Sequence, residues 1–352
     1  MTSPITTGLV TDTAGQTSAT AADVSALSPD VQAAATVSPA WQDFEAAFPV
    51  RQSLISSVFA FGLQILDRVL TAFRLEGAVA AAFQLLGSRD PFPLLTLGLD
   101  VQRTELNGFE TVILKPAGST PDKAIVAIHG GGFTLEITQV EWLTNANLAR
   151  DTGAAVVVPL YPSISQGGTA ATVVPQMADL IAAQIALYGA ENVSVEGGSA
   201  GGTIGMAAVQ ELVRRGSPVP ARMVFLSPAL DLTFSDPRTA MVAARDPIIN
   251  IDIVWPAHVQ WAGDLPGGVA NPMVSPALGS LEGLPPTWIY SGSLDLLSPG
   301  ILNLQQRAIA EGAPFTFILL KGGIHGWPGF FFLPEAIAAR PQIASQLVGT
   351  ND

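Results

Sequence analysis

Two hydrophobic periodicities divide the chain. Through residues 31–87 large apolar side chains recur three or four positions apart. Ile55, Val58, Phe59, Leu63, Leu66, Val69, Leu70 and Phe73 form one stripe, with Gln64, Asp67 and Arg68 between them, the spacing of an amphipathic helix. Pro49 separates a short helix from a longer one. From about residue 99 the period changes. The runs 101–106 and 110–115 flank Asn107-Gly108, a two-residue hairpin signal. Short apolar runs then follow at 124–128, 154–160, 193–196, 223–226, 287–290 and 315–320, alternating with helical stretches near 140–151, 169–188, 201–215 and 299–312. An antiparallel hairpin followed by alternating strand and helix predicts an α/β fold, a mostly parallel central sheet flanked by helices. Residues 1–30, rich in Thr, Ala and Ser, carry few large apolar groups and are expected to stay disordered. The organisation read from these patterns is a disordered segment at 1–30, a helical cap or accessory segment at 31–98, and a main domain at 99–352 with a cap insertion around 235–270. No internal repeat is visible.

Composition narrows the partners. The chain has 352 residues, of which 48% are hydrophobic, so a large core can form. Charged residues are only 13%, and the net charge of −13 with no basic cluster disfavours nucleic acid and anionic lipid headgroups. There is no cysteine, which removes disulfides, thiol nucleophiles and Cys-ligated metals. The three histidines, His129, His258 and His325, are not in a zinc-protease spacing, so neither a metal nor another cofactor is expected. The first basic residue is Arg51, which argues against a standard cleaved signal peptide. No uninterrupted apolar run of 18 residues occurs, so no transmembrane helix is expected.

The candidate chemistry lies in the main domain. Gly197-Gly198-Ser199-Ala200-Gly201 directly follows the run 192–196 and directly precedes a small-residue helical run. Strand, turn and helix around Gly-x-Ser-x-Gly make a nucleophile elbow, in which the serine hydroxyl stands clear of the sheet and the flanking glycines Gly197 and Gly201 let strand and helix approach closely. A second motif, His129-Gly130-Gly131-Gly132-Phe133, closes the run 124–128. Glycine N–H groups at a strand end can hold a developing oxyanion. Gly131 and Gly132 are the donors expected there, joined by Ala200, with His129 and Gly130 supporting the loop. Taken alone, that glycine run is an ordinary strand-to-helix turn.

The partners of a serine elbow follow it in the order acid, then histidine. His129 precedes Ser199, which leaves His258, in the aromatic helical stretch 253–261, and His325, just past the run 315–320. The position of His325 after the last strand favours it as base, and its ordinary pKa of about 6.5 predicts activity rising with pH near that value. Asp295 lies 30 residues before His325 and is favoured as the acid over Asp231, after the preceding strand, and Asp246, in an Asp-Pro segment. A carboxylate at a strand end is otherwise a common helix cap.

These motifs, with Ser227-Pro228-Ala229-Leu230-Asp231 and Ser291-Gly292-Ser293-Leu294-Asp295, resemble the hormone-sensitive-lipase-like branch of the α/β hydrolases. Within it they are similar to the catalytic domain of mycobacterial triacylglycerol lipases that carry an N-terminal PE domain. The resemblance covers about residues 100–350 and not residues 1–90. It implies an α/β-hydrolase fold, Ser199, Asp295 and His325 as catalytic residues, and a secreted or cell-envelope location. The family usually has Asp where this chain has Gly198.

Apolar residues surround the expected base: Ile324, Trp327, Phe330, Phe331 and Phe332. The segment 246–265 adds Ile248, Ile249, Ile251, Ile253, Trp255 and Trp261. Such walls suit the acyl chain of a carboxylic ester such as an acylglycerol, although Phe330–Phe332 could equally dock a final helix. The expected partner is a small-molecule or lipid ester, with no nucleic acid and with peripheral contact to a lipid surface. A non-catalytic lipid-binding or envelope protein on the same scaffold, and an amidase or peptidase, are the alternatives.

Overall fold

A computed structural model describes residues 39–72 and 87–349. The expectation for residues 1–30 lies outside them, as do 31–38 and 73–86 of the helical segment. The chain divides into two units after Gln42. Of the first, only the opening of helix α1 (Pro39–Ala46) is described. The strands and the remaining helices all belong to the second.

Among the described residues nine strands form one sheet. They are β1 (Val50–Arg51), β2 (Leu99–Leu106), β3 (Phe109–Pro116), β4 (Ala124–Ile128), β5 (Ala155–Pro159), β6 (Val193–Gly198), β7 (Arg222–Leu226), β8 (Thr287–Leu294) and β9 (Phe315–Ile324). Their spatial order is β1-β9-β8-β7-β6-β4-β5-β3-β2. β2 and β3 form an antiparallel hairpin in which Leu106 pairs with Phe109. Its turn residues Asn107 and Gly108 both have positive φ, 50° and 80°, as a tight twisted hairpin requires. β3 runs antiparallel to β5, and all the remaining pairs are parallel. Every residue of β4 and β5 is buried, which explains why these strands read as continuous apolar runs.

β4 has β5 on one side and β6 on the other. At such a switch point the loops after the two neighbouring strands diverge and leave a crevice at their carboxyl ends. The glycine loop after β4 and the elbow after β6 therefore share one crevice. Helices α3 (Gln139–Thr152) and α9 (Pro334–Val348) bury Trp142, Ala146, Ile343 and Leu347 on one face of the sheet, against Ile125, Val224 and Leu226. On the other face α5 (Ala200–Arg214) packs Gly205 against Ile128, Val195 and Phe225, with α4 (Ala170–Tyr188) beside it. α4 is long and apolar enough to cross a membrane, yet half of it is buried within this fold.

In the N-terminal stretch read as two helices separated at Pro49, a short strand lies between them. After Pro49, Val50 and Arg51 pair in parallel with Leu320 and Lys321 at the sheet edge. Helix α2 (Leu54–Ala72) comes next, and Phe59 on it meets Phe330 and Phe332 edge-on at 5.7 and 5.0 Å. Between β7 and β8 lie α6 (Thr239–Ala243) and α7 (Ile251–Ala262), the latter capped by Asn250, whose side chain accepts from the Asp252 N–H. Helix α8 (Ser298–Glu311) comes after β8.

Candidate active site

Ser199 occupies the turn from β6 into α5. Its φ of 48° and ψ of −117° are a conformation that non-glycine residues rarely adopt. Neighbouring strands hold it there: the Ser199 N–H donates to Leu226 O at 3.0 Å, and Ser199 O accepts from Ala229 N–H at 3.0 Å. The close approach of α5 to β4 requires glycine at 201, where a Cβ would lie 1.9 Å from Ile128 O. Position 198 is different. A Cβ on Gly198 would meet nothing nearer than Leu226 O at 4.0 Å.

His325 Nε2 lies 3.1 Å from Ser199 Oγ, and His325 Nδ1 lies 3.1 Å from Asp295 Oδ2. Asp295 follows β8 immediately. That strand runs four residues past its apolar stretch, through a register shift between Gly292 and Leu294, a bulge of the kind found beside functional sites. β9 likewise continues four residues past its own apolar run to Ile324, so His325 begins the loop. That loop is held by Ser227, whose Oγ accepts from Gly326 N–H at 2.9 Å while its own φ is 47°.

A second carboxylate backs this chain of groups. Asp246 Oδ1 accepts from the N–H groups of Ile248 and Ile249 at 2.7 and 2.9 Å, and Oδ2 accepts from Leu296 N–H at 2.6 Å. Asp246 thus ties the segment before α7 to the residue after Asp295. Burial, then the charge of Asp295, pushes its pKa up to about 7. For His325, burial pulls the pKa down, but the Asp295 carboxylate and then Asp246 outweigh it, and the net shift is upward. The ordinary value of 6.5 read for a histidine base is therefore too low.

The glycine loop is anchored from both sides. Gly130 N–H donates to Glu141 Oε1 at 2.6 Å, and Tyr161 Oη lies 3.0 Å from the carbonyl oxygens of both His129 and Gly130. Gly131 and Gly132 have positive φ, 93° and 58°. Their N–H groups, with that of Ala200, make no hydrogen bond among the described residues, and all three residues line the cavity. His129 stacks on Tyr161 at 4.2 Å, and burial holds its pKa below the usual histidine value. It stays a neutral support for the loop.

The other candidates are not joined to Ser199, although His258 lines the same cavity. His258 sits among Phe133 and Phe234, at 6.2 and 5.2 Å between ring centroids, and burial lowers its pKa to about 4. Asp231 Oδ1 accepts from the N–H and hydroxyl of Thr233 in a local turn. Among the described residues no three metal-ligating side chains converge.

Ser199 and His325 open into a cavity of about 660 Å³. Ile248, Ile249, Ile251, Ile253 and Val254 line it from the segment between β7 and β8, and Leu297 and Phe330 line it from β8 and β9 loops. Of the three rings at 330–332 only Phe330 does so; Phe331 and Phe332 are exposed. Glu141, Tyr161, Ser227 and Asp246 were not singled out for these roles by the sequence patterns, since each acts through contacts that folding alone creates.

Residues 125–329 match a family described as alpha/beta hydrolase fold. The chain belongs to this α/β-hydrolase family. A triacylglycerol lipase of Mycobacterium tuberculosis is 41% identical over 307 residues, covering 87% of this chain and 64% of that protein, so the chain spans less than two thirds of that relative. An acetyl-hydrolase of Streptomyces hygroscopicus is 31% identical over 219 residues, covering 60% of this hydrolase-fold chain and 71% of the relative. Among solved structures, a hormone-sensitive lipase from a metagenome library superimposes with a TM-score of 0.68 at 25% identity, covering 76% of this chain and 89% of that one.

Proposed function

We propose that the chain is a serine carboxylic-ester hydrolase acting on apolar acyl esters such as acylglycerols through an acyl-enzyme. The observation that carries this reading is the unbroken chain Ser199 Oγ, His325, Asp295, with 3.1 Å at each step, on a strained elbow. His325 Nε2 takes the Ser199 proton as Oγ attacks the ester carbonyl. The Asp295 carboxylate accepts from His325 Nδ1–H and stabilises the imidazolium. The tetrahedral oxyanion is held by the N–H groups of Gly131, Gly132 and Ala200. His325 then protonates the leaving alcohol, and water repeats the sequence on the acyl-enzyme. The isoleucine-rich wall between β7 and β8 and Phe330 suit the acyl chain.

Ser199→Ala tests the assignment. It should lose about 10⁵-fold or more in kcat on a soluble ester, by analogy with triads acting as a unit, while its melting temperature stays near wild type. A folded variant of near-wild-type rate would overturn it. A fluorophosphonate probe adds a direct readout, since a non-catalytic lipid binder leaves Ser199 unlabelled. Leu54, Ile55, Val58 and Phe61 stand exposed along α2 and support contact with a lipid surface. Co-sedimentation with phosphatidylcholine vesicles checks this, and protein left wholly in the supernatant counts against it.

A further inference from the structure

The cavity beside Ser199 is lined largely by apolar groups, with Glu196 of β6 and Glu141 and Asn145 of α3 among its polar residues. Glu196 and Asn145 are 5% and 4% exposed, and neither side chain makes a hydrogen bond among the described residues. Strand alternation explains the placement. Val195 faces α5, within 3.1 Å of a Cβ placed on Gly205, so Glu196 turns to the opposite face, which α3 and α9 cover together. On α3, Glu141 and Asn145 are four residues apart and share one side of the helix. Glu141 is engaged: Oε1 holds the Gly130 N–H, and Oε2 accepts from the Thr138 N–H and hydroxyl. Its carboxylate is also close to the nucleophile, for Glu141 Oε1 and Ser199 Cβ each lie 3.2 Å from a Cβ placed on Gly130. Next to these groups, position 198 holds no side chain although there is room for one.

Neither is sealed off: the polar atoms of Glu196 and Asn145 are open to the cavity rather than among the fully enclosed atoms without a partner, so a ligand group can reach them, and most buried polar side chains are otherwise paired within the protein. Two unpaired ones, facing one cavity next to a reactive serine, point to a partner that arrives with the ligand. Burial, and then Glu141, raises the pKa of Glu196 to about 8, so at neutral pH its carboxyl is protonated and can both donate and accept. The Asn145 amide can do the same. The complement to such a pair is a neutral group that also donates and accepts. A carboxylate or phosphate on the ligand would meet the Glu141 charge.

We propose that Glu196, Asn145 and the open position at Gly198 form a polar subsite that takes a hydroxyl group of the substrate, so that the preferred esters carry a free hydroxyl near the scissile carbonyl. The subsite rests on the ester-hydrolase reading of Ser199. The hydroxyl can come from the alcohol, as in a partial acylglycerol, or from the acid, as in a 3-hydroxyacyl ester.

Three soluble esters separate these sources: glyceryl monobutanoate, methyl 3-hydroxybutanoate, and methyl butanoate as the plain reference. For the wild-type protein, kcat/KM on at least one hydroxyl-bearing ester should exceed the reference by about tenfold or more, since a site built to bind a hydroxyl discriminates against its absence. Whichever ester shows the preference names the source. In Glu196→Leu and in Asn145→Leu that ratio should fall by about tenfold. The two substitutions lie on different elements, so if one variant does not fold, judged by its melting transition, the other decides. A wild-type ratio near one on both arms, or a ratio unchanged in the folded variants, overturns the subsite and leaves the hydrolase reading intact. Failure of the folded wild-type protein to hydrolyse any of the three esters overturns both.

Discussion

At the scale of single residues, the proposed mechanism makes the reactivity of Ser199 depend on the protonation of His325, 3.1 Å away. The base must be neutral to accept a proton, and Asp295 and Asp246 together favour its charged form more strongly than burial disfavours it. The acid limb of kcat/KM for a soluble ester is therefore expected above pH 6.5. In Asp246→Asn one of these carboxylates is lost while a hydrogen-bond acceptor remains, so the limb should move to lower pH. Because Asp246 itself titrates near 7, the wild-type limb belongs to coupled groups rather than to one. Rates measured from pH 5 to 9 check both statements. A wild-type limb at or below 6.5, or an upward shift in Asp246→Asn, contradicts them. Ser199, His325 and the glycine loop were legible in the sequence, because each is written in a short run at a strand end. Asp246 and Ser227 were not. Asp246 acts through backbone groups 2, 3 and 50 residues away, and Ser227 through Gly326, 99 residues on.

At the scale of elements, one capping arrangement serves both a helix and the chemistry. Glu141 closes the capping box of α3 with Thr138 and, with its other oxygen, fixes Gly130. Glu141→Ala should therefore cost about 1 kcal/mol through the cap. It should also lower kcat about tenfold to a hundredfold, short of the about 10²–10³ attached to losing an oxyanion donor outright, with KM little changed. Glu141→Gln, which keeps one acceptor, should recover part of the loss. Melting temperatures and steady-state kinetics test this, and an unchanged kcat in the alanine variant refutes the link. Gly201→Ala is of another kind. The clash at 1.9 Å is with the Ile128 backbone, so expression should yield protein that is unfolded or destabilised by more than about 4 kcal/mol. Recovery of soluble, active Gly201→Ala protein contradicts the elbow packing. The strands and helices themselves were legible from their periods, but their ends were less so. β8 and β9 extend through Ser291-Gly292-Ser293 and Lys321-Gly322-Gly323, residues of weak strand preference, across a bulge in which Gly292 pairs with Leu320, Leu294 with Ile324, and Gly322 has a φ of 77°. The two-residue strand β1 is too short to leave a pattern, and only its place beside β9 makes it a strand.

At the scale of the whole molecule, the buried carboxyls set how stability responds to pH. Glu196 and Asp246 have folded pKa values raised to about 8 and about 7, and His325 is also raised. Each binds its proton more tightly folded than unfolded. Their contribution to stability is thus fully present below the unfolded values and is lost as pH rises through the folded ones. Asp236, lowered to about 2 by Arg238, and Glu211, lowered by Arg214, act in the opposite sense. Their stabilisation is present above about pH 4 and is lost as pH falls toward their folded values. His129 and His258, lowered by burial, act in this second sense up to about pH 6.5, so the two sets leave a window between about pH 5 and 7, and the formal charge of −13 at pH 7 adds self-repulsion as pH rises. The melting temperature should therefore be highest between about pH 5 and 7 and decline toward pH 9. Glu196→Gln removes one large titration on the alkaline side without adding charge. Its melting temperature should fall less steeply than that of the wild type between pH 5 and 9, with the two curves diverging most above pH 7. Differential scanning calorimetry at fixed ionic strength resolves this. Parallel curves for the two proteins across that range would mean that the Glu196 carboxyl is not held protonated in the fold, and would also remove its capacity to donate to a substrate hydroxyl at neutral pH.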